Sequence, residues 1–133
     1  MYLVTAFYAG LLALAYASLS VIVIRTRHRR SISLGHGDCA EMEHRMRAHG
    51  NFAEYIPLAL LLLGLLEAQR APWWLLHGLG VTLLLGRVLH VSAFLRNQGR
   101  GNTRVAGMAL TLNSICVSAL ALLYYAGASM LRS

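Results

Sequence analysis

Residues 2–24 have the sequence YLVTAFYAGLLALAYASLSVIVI and contain no charged side chain. As a helix, these 23 residues would be about 34 Å long, which is enough to cross a hydrocarbon core of about 30 Å. A cleavable signal peptide is the competing interpretation. It is disfavoured because no basic segment precedes the apolar stretch and the arginines follow it. The stretch therefore predicts a first membrane-spanning helix over about residues 2–28.

The composition of the whole chain is also typical of a membrane protein. Of the 133 residues, 57% are hydrophobic and 13% are charged, whereas soluble domains are about 45–50% apolar and about 25% charged. All 12 basic residues are arginine, and the net charge is +7. Such a charge can indicate nucleic-acid binding, but there are no lysine runs and no interleaved basic and aromatic residues. We therefore assign the arginines to membrane boundaries and expect no nucleic-acid partner.

The second apolar segment is irregular, because only residues 55–66 are free of charge and a polar stretch precedes them. We predict one helix over about residues 38–69, with its polar first half partly inside the membrane. Charged side chains at that depth must face protein or water. Pro57 should kink this helix or remove one of its hydrogen bonds.

Two more apolar segments complete the predicted fold. A third helix is expected over about residues 72–96, with Trp73 and Trp74 at the membrane–water interface. A fourth is expected over about residues 103–131. The chain is thus predicted to be an all-α, integral membrane four-helix bundle that forms a single domain over residues 1–133. Because four short helices bury little surface, a homo-oligomer is expected.

The distribution of arginines predicts the orientation in the membrane. Nine arginines lie in or beside residues 25–40 and 96–104, and two lie at the other side. By the positive-inside rule, these two loops are cytoplasmic and both termini are outside. The nine are Arg25, Arg27, Arg29, Arg30, Arg45, Arg47, Arg96, Arg100 and Arg104, and the two are Arg70 and Arg132.

Polar side chains are grouped in the arginine-rich half of the predicted bundle. On the second helix, four of them fall within about 80° of one another at 100° per residue. On the third helix, three positions share a face, and an arginine begins the fourth helix at the positive end of its dipole. These residues are Glu43, Arg47, Asn51 and Glu54 on the second helix, Arg87, His90 and Phe94 on the third, and Arg104 on the fourth.

This polar group has two interpretations. One is a structural ion network, in which Arg47 pairs with Glu43 and Arg87 pairs with Glu54. The other is a binding site, because the arginines outnumber the carboxylates and the excess predicts an anionic ligand. A small carboxylate-bearing molecule is the natural candidate, since guanidinium groups bind carboxylates in bidentate fashion. The excess arginines are Arg47, Arg104 and one of Arg25 or Arg27.

No metal site or disulfide is predicted. His44 and His49 are five residues apart and do not share a helix face, and the sequence has no His-Glu-x-x-His pattern. The two cysteines, Cys39 and Cys116, are far apart in the sequence. With the predicted orientation, Cys39 lies on the reducing side and should be a free thiol.

Residues 43–54, EHRMRAHGNFAE, resemble the MAPEG family, the membrane-associated proteins of eicosanoid and glutathione metabolism. The shared pattern is Arg-Ala-His-x-Asn-x-x-Glu at the opening of the second helix. Residues 86–90 and 104–107 provide two further matches, so the resemblance covers essentially the whole chain. Residues 33–38 and 51–58 look most like the bacterial inner-membrane branch of the family.

The resemblance implies a homotrimer of four-helix bundles that binds glutathione as a cosubstrate between subunits, near the cytoplasmic face. The implied function is a glutathione-dependent transferase or peroxidase that acts on lipophilic electrophiles at a membrane-lipid surface. A non-catalytic lipid-binding or scaffold protein of the same fold is the alternative. The implied ligand-binding residues are Arg27 (or Arg25), Arg47, Asn51, Glu54, Arg87 and His90, and Arg104 is the implied catalytic residue that stabilises the thiolate.

Two positions depart from the family pattern. Gly50 replaces a larger residue that some members carry, which removes one possible ligand contact. Phe94 stands where several glutathione-using members have a tyrosine, so that hydroxyl is missing here. Neither change removes the arginines that are expected to bind the carboxylates of the ligand.

Overall fold

A computed structural model describes residues 2–96 and 101–131, and within these ranges the chain forms four helices and no strand. All four are long and apolar enough to cross a membrane. Their bounds lie within two residues of those expected from the sequence. Arg100 and Arg132, two of the arginines whose distribution predicts the orientation, lie outside the described residues. The helices are α1 (Leu3–Arg30), α2 (Ala40–Ala68), α3 (Trp73–Leu95) and α4 (Asn102–Met130).

The apolar core has two parts along the bundle. In the arginine-rich half, Leu12 and Leu19 of α1 pack with Phe52 of α2 and Leu83 of α3. In the other half, a second cluster is built around Tyr8. Most remaining apolar side chains point outward, as expected for helices that face lipid on one side. The helix α2 continues through Pro57 without interruption.

Helices α3 and α4 approach closely where two glycines meet. A Cβ atom on Gly107 would lie 2.5 Å from the backbone nitrogen of His90 and 2.7 Å from the carbonyl oxygen of Gly86. Further along, the Ser114 hydroxyl donates to the carbonyl of Leu79 across 3.0 Å. Small residues and hydroxyl groups are typical of tightly packed membrane helices. This packing holds His90 next to the first turn of α4.

The beginning of α1 is held by a carboxylate from the end of α2. The backbone N–H groups of Val4 and Thr5 donate to the two Glu67 oxygens across 2.9 Å and 2.8 Å. The first N–H groups of a helix have no partner within the helix, and they carry its positive dipole end. Glu67 therefore acts as an N-terminal cap supplied by a different helix.

Candidate functional site

A cavity of about 560 Å³ lies between α2, α3 and α4 at the arginine-rich end. Its polar lining comes from all three helices. Its apolar wall is formed by successive turns of α4, from Val105 through Met108 to Leu112. The polar lining includes Glu43, His44, Arg47 and Asn51 on α2, His90 on α3 and Arg104 on α4, and the Phe94 ring completes that side.

Arg104 and His90 are joined at this cavity. The Nδ1 atom of His90 lies 3.1 Å from the carbonyl oxygen of Arg104. A carbonyl can only accept, so Nδ1 carries the proton and donates. The Arg104 guanidinium lies over the ring of Phe94, with its central carbon 5.5 Å from the ring centroid. Among the described residues, no carboxylate lies within ion-pair distance of Arg104. Its charge is therefore available to a ligand.

Arg47 and Asn51 line the same cavity from α2. The Arg47 Nε atom donates to Glu43 across 3.1 Å, as the structural interpretation of the polar group expected. The Asn51 amide donates to the carbonyl of Arg47 across 3.1 Å, one turn earlier. Arg47 remains largely exposed in this pair, so its other N–H groups can still meet a ligand.

Glu54 lies outside this first cavity, on the outer face of α2. It lines an adjoining hollow of about 420 Å³ together with His36 and Gly50. Arg47 and Asn51 border both spaces, so the two lie side by side at α2. The structure therefore brings Glu54 near the other predicted site residues, but on a surface that a single chain leaves exposed.

Arg87 departs from the sequence-based expectations. Its side chain is buried, with 1% of the residue exposed, and it does not line the cavity. The guanidinium carbon lies 5.7 Å from the centroid of the Phe52 ring and 5.8 Å from that of Tyr55. The expected ion pair with Glu54 is wrong, because the described residues place no carboxylate within 4.0 Å of Arg87. Aromatic faces take the place of the carboxylate.

Arg27 also lies apart from the cavity within one chain. Its guanidinium donates to the carbonyl of Gly35 across 3.1 Å and contacts the sulfur of Met46 at 3.6 Å. Arg27 therefore holds the loop between α1 and α2. Arg25, the other arginine considered for the site, lies on a different face of α1 and lines a separate groove.

The apolar wall of the cavity was not anticipated from the sequence. Val105, Met108, Ala109 and Leu112 occupy positions i, i+3, i+4 and i+7 of α4. This spacing identifies one helical face, beginning directly after Arg104. The sequence therefore contains this spacing. It could not be recognised there, because an uncharged membrane helix is apolar on every face and the face that lines a cavity does not stand out.

The sequence motifs that suggested a family converge in space. Residues 43–54, 86–90 and 104–107 belong to three different helices, yet each contributes to the lining of the cavity. A family model for the MAPEG family matches residues 5–124. The chain belongs to the MAPEG family. The resemblance drawn from the motifs is thereby confirmed.

Named relatives of this MAPEG protein agree with a location in a membrane. The inner membrane protein YecN of Escherichia coli strain K12 is 36% identical over 123 residues, which is 92% of this chain and 92% of YecN. YecN of Escherichia coli O6:H1 matches to the same extent. With four helices that can each cross a bilayer, this MAPEG chain is a membrane protein.

Proposed function

We propose that the cavity between α2, α3 and α4 binds glutathione and presents its thiolate to a lipophilic electrophile. The observation that carries this proposal is Arg104, a guanidinium without a carboxylate partner among the described residues, in a cavity of about 560 Å³. Ligand pockets are generally about 300–1,000 Å³. A tripeptide with two carboxylates suits both the size and the charge of this cavity.

The polar groups offer complementary contacts to such a ligand. Arg47 can bind a carboxylate in bidentate fashion, and Asn51 can offer its side-chain oxygen to a peptide N–H. Glu54, in the adjoining hollow, can accept from the glutamyl ammonium group. Positive and negative groups of the ligand would thus meet opposite charges, and these pairs would gain strength where a neighbouring copy of the chain covers this face and excludes water.

Arg104 is the residue we assign to the chemical step. A thiol must lose its proton to attack, and a nearby guanidinium at a helix N-terminus favours the anion. Each unit of lowered thiol pKa corresponds to about 1.4 kcal/mol. In a transfer, the thiolate donates an electron pair to carbon, an S–C bond forms, and the leaving group departs with its bonding pair. With a lipid hydroperoxide, two glutathione thiols become a disulfide while the O–O bond is reduced to an alcohol and water.

The α4 wall gives the electrophile a path from the bilayer. Val105 and Leu112 are exposed in the single chain, and Met108 lies between them on the same face. A lipophilic molecule dissolved in the membrane would meet these side chains before it reaches Arg104. The polar and apolar parts of the cavity thus match a charged cosubstrate and a lipophilic partner.

We further propose that the protein works as a homotrimer with the ligand between subunits. Glu54 and Arg47 are exposed on the outer face of α2, within a helix that can span the membrane. Charged side chains at membrane depth must face protein or water rather than lipid. A neighbouring copy that covers this face would provide that environment and would close the adjoining hollow.

Titration in nanodiscs tests the proposal. Glutathione should bind saturably and produce thiolate absorbance, whereas an analogue with alanine in place of cysteine should bind without that absorbance. Binding without thiolate would favour the alternative, a non-catalytic lipid-binding or scaffold protein. Phe94 is the observation that favours this alternative, because it lacks a hydroxyl that could hydrogen-bond to the sulfur. Absence of binding by both compounds would overturn the proposed function.

A further inference from the structure

A second basic groove lies between the ends of α1 and α3. Its volume is about 320 Å³, and its lining consists of three arginines and two apolar side chains. It shares no lining residue with the candidate site or with the adjoining hollow. The lining residues are Arg25 and Arg29 of α1, Arg45 of α2, and the apolar Ile22 and Leu95.

The positive charge of this groove is only partly neutralised. One carboxylate, Glu41, pairs with Arg29 and with Arg45, the latter across 2.6 Å. The same carboxylate also pairs with Arg30 at 2.8 Å, so its charge is shared among three guanidinium groups. Arg25 is exposed, and its guanidinium has neither an ion pair nor a hydrogen bond with any residue of ranges 2–96 and 101–131. The groove therefore keeps an excess of positive charge.

The position of the groove along α1 places this charge at a membrane boundary. Arg25 directly follows the uncharged stretch of residues 2–24. Ile22 lies almost one turn deeper on the same side, and Leu95 is the last residue of α3. The groove thus combines arginine side chains at the level of the lipid headgroups with two apolar side chains, of which Ile22 lies on the hydrocarbon side of Arg25. A phosphate joined to an acyl chain has the same order of charged and apolar parts.

We propose that this groove binds the phosphate of an anionic phospholipid, with the start of an acyl chain against Ile22 and Leu95. Basic pockets between membrane helices on the cytoplasmic side are known to take anionic headgroups. Arg25 is the main contact of the phosphate, because no described protein group is bound to the Arg25 guanidinium. The lipid would sit beside the bundle as a bound component, separate from any substrate in the α2–α3–α4 cavity.

Native mass spectrometry of protein released from nanodiscs tests this proposal. In nanodiscs with equal parts of phosphatidylglycerol and phosphatidylcholine, the parent protein should retain phosphatidylglycerol preferentially. Each arginine near the surface contributes about 1 kcal/mol, which is about five-fold in affinity. Arg25→Gln should reduce the preference about five-fold, and Arg25→Gln with Arg29→Gln should abolish it.

The matched control is Arg27→Gln, which removes an equal charge from the same end of α1 but from outside the groove. This variant should keep the preference, with circular dichroism used to verify that all variants fold. An equal loss in Arg27→Gln would show general charge attraction and would overturn the proposal.

Two other occupants give different results. If the groove prefers free phosphate, millimolar inorganic phosphate or glycerol phosphate will displace the bound lipid, and the acyl-chain part of the proposal is wrong. If a second copy of the chain covers the groove, Arg25→Gln will change the oligomeric mass without changing lipid retention, and the proposal is wrong as a whole. Retention that resists both phosphate compounds, at unchanged oligomeric mass, supports the phospholipid.

Discussion

The imidazole of His90 donates from Nδ1 to the backbone carbonyl of Arg104 across 3.1 Å, which joins the last two turns of α3 to the first turn of α4. His90 is buried at this point by the close α3–α4 packing. The hydrogen bond fixes the backbone that carries the Arg104 guanidinium. The position of this charge in the cavity therefore depends on α3 as much as on α4.

Replacement of Arg104 tests its chemical role. If Arg104 stabilises the thiolate, Arg104→Ala should bind glutathione only modestly less tightly, but its bound thiol should titrate at higher pH. Turnover with an aromatic electrophile should fall about ten-fold for each unit of raised thiol pKa. Arg104→Lys should be intermediate, because it keeps the charge without the planar fork. A thiol pKa in Arg104→Ala equal to that of the parent would contradict this role.

Replacement of Arg47 or Glu54 tests ligand binding. Arg47→Ala and Glu54→Ala should each weaken glutathione binding by about 2–4 kcal/mol, because each leaves a ligand charge unpaired in a poorly hydrated site. Isothermal titration calorimetry measures this loss. Arg70→Ala, at the opposite end of the bundle, is the control and should bind like the parent. Parental affinity in both site variants would mean that the polar face of α2 is structural only.

The glycine contact between α3 and α4 makes a prediction about stability. Gly107→Ala should lower the free energy of unfolding by about 1–3 kcal/mol, because the new Cβ would meet backbone atoms of His90 and Gly86. Gly10→Ala is the control, since nothing lies within 4 Å of a Cβ at that position. Thermal unfolding in detergent should show Gly10→Ala unchanged or more stable. Equal stability of the two variants would show that α3 and α4 are not in close contact.

Replacement of Arg87, unlike that of Gly107, is expected to preserve or increase the stability of the protein. It is buried without a carboxylate partner among the described residues, so Arg87→Met should leave the free energy of unfolding unchanged or raise it by up to about 2 kcal/mol. Glutathione affinity should change by less than about two-fold, because Arg87 does not line the cavity. A large loss of affinity in calorimetry would restore Arg87 to the binding site that the sequence suggested.

The arginine distribution predicts the orientation. A reporter that is active only outside the cytoplasm should be active when fused to the C-terminus, because the arginine-rich loops are expected to be cytoplasmic. Fusions within residues 31–38 should give the opposite signal. An inactive C-terminal fusion together with active fusions within residues 31–38 would overturn the predicted orientation and would move the cavity to the other face of the membrane.

The sequence predicted the helices, because apolar length and helical periodicity are local properties. It predicted the grouping of Arg47, Asn51, His90 and Arg104 because the arginine distribution puts all four in the same half of the bundle. It did not predict where Arg27 and Arg87 lie. A long arginine side chain near a helix end can reach a loop carbonyl, as Arg27 does, and spacing alone does not distinguish this from a ligand contact. The burial of Arg87 against aromatic rings depends on tertiary packing, which no short pattern encodes.

The cap that Glu67 provides also bears on how the chain enters a membrane. Its carboxylate is satisfied by backbone amides of Val4 and Thr5, so it needs no arginine beside it. Of the described arginines, Arg70 is the one at that end of the bundle. Neutralising an acidic group with a helix end rather than a cation keeps that side poor in positive charge. The excess of arginines at the opposite end is expected to set the orientation during membrane insertion. This excess is not reduced by an additional arginine that would otherwise be needed to pair with Glu67.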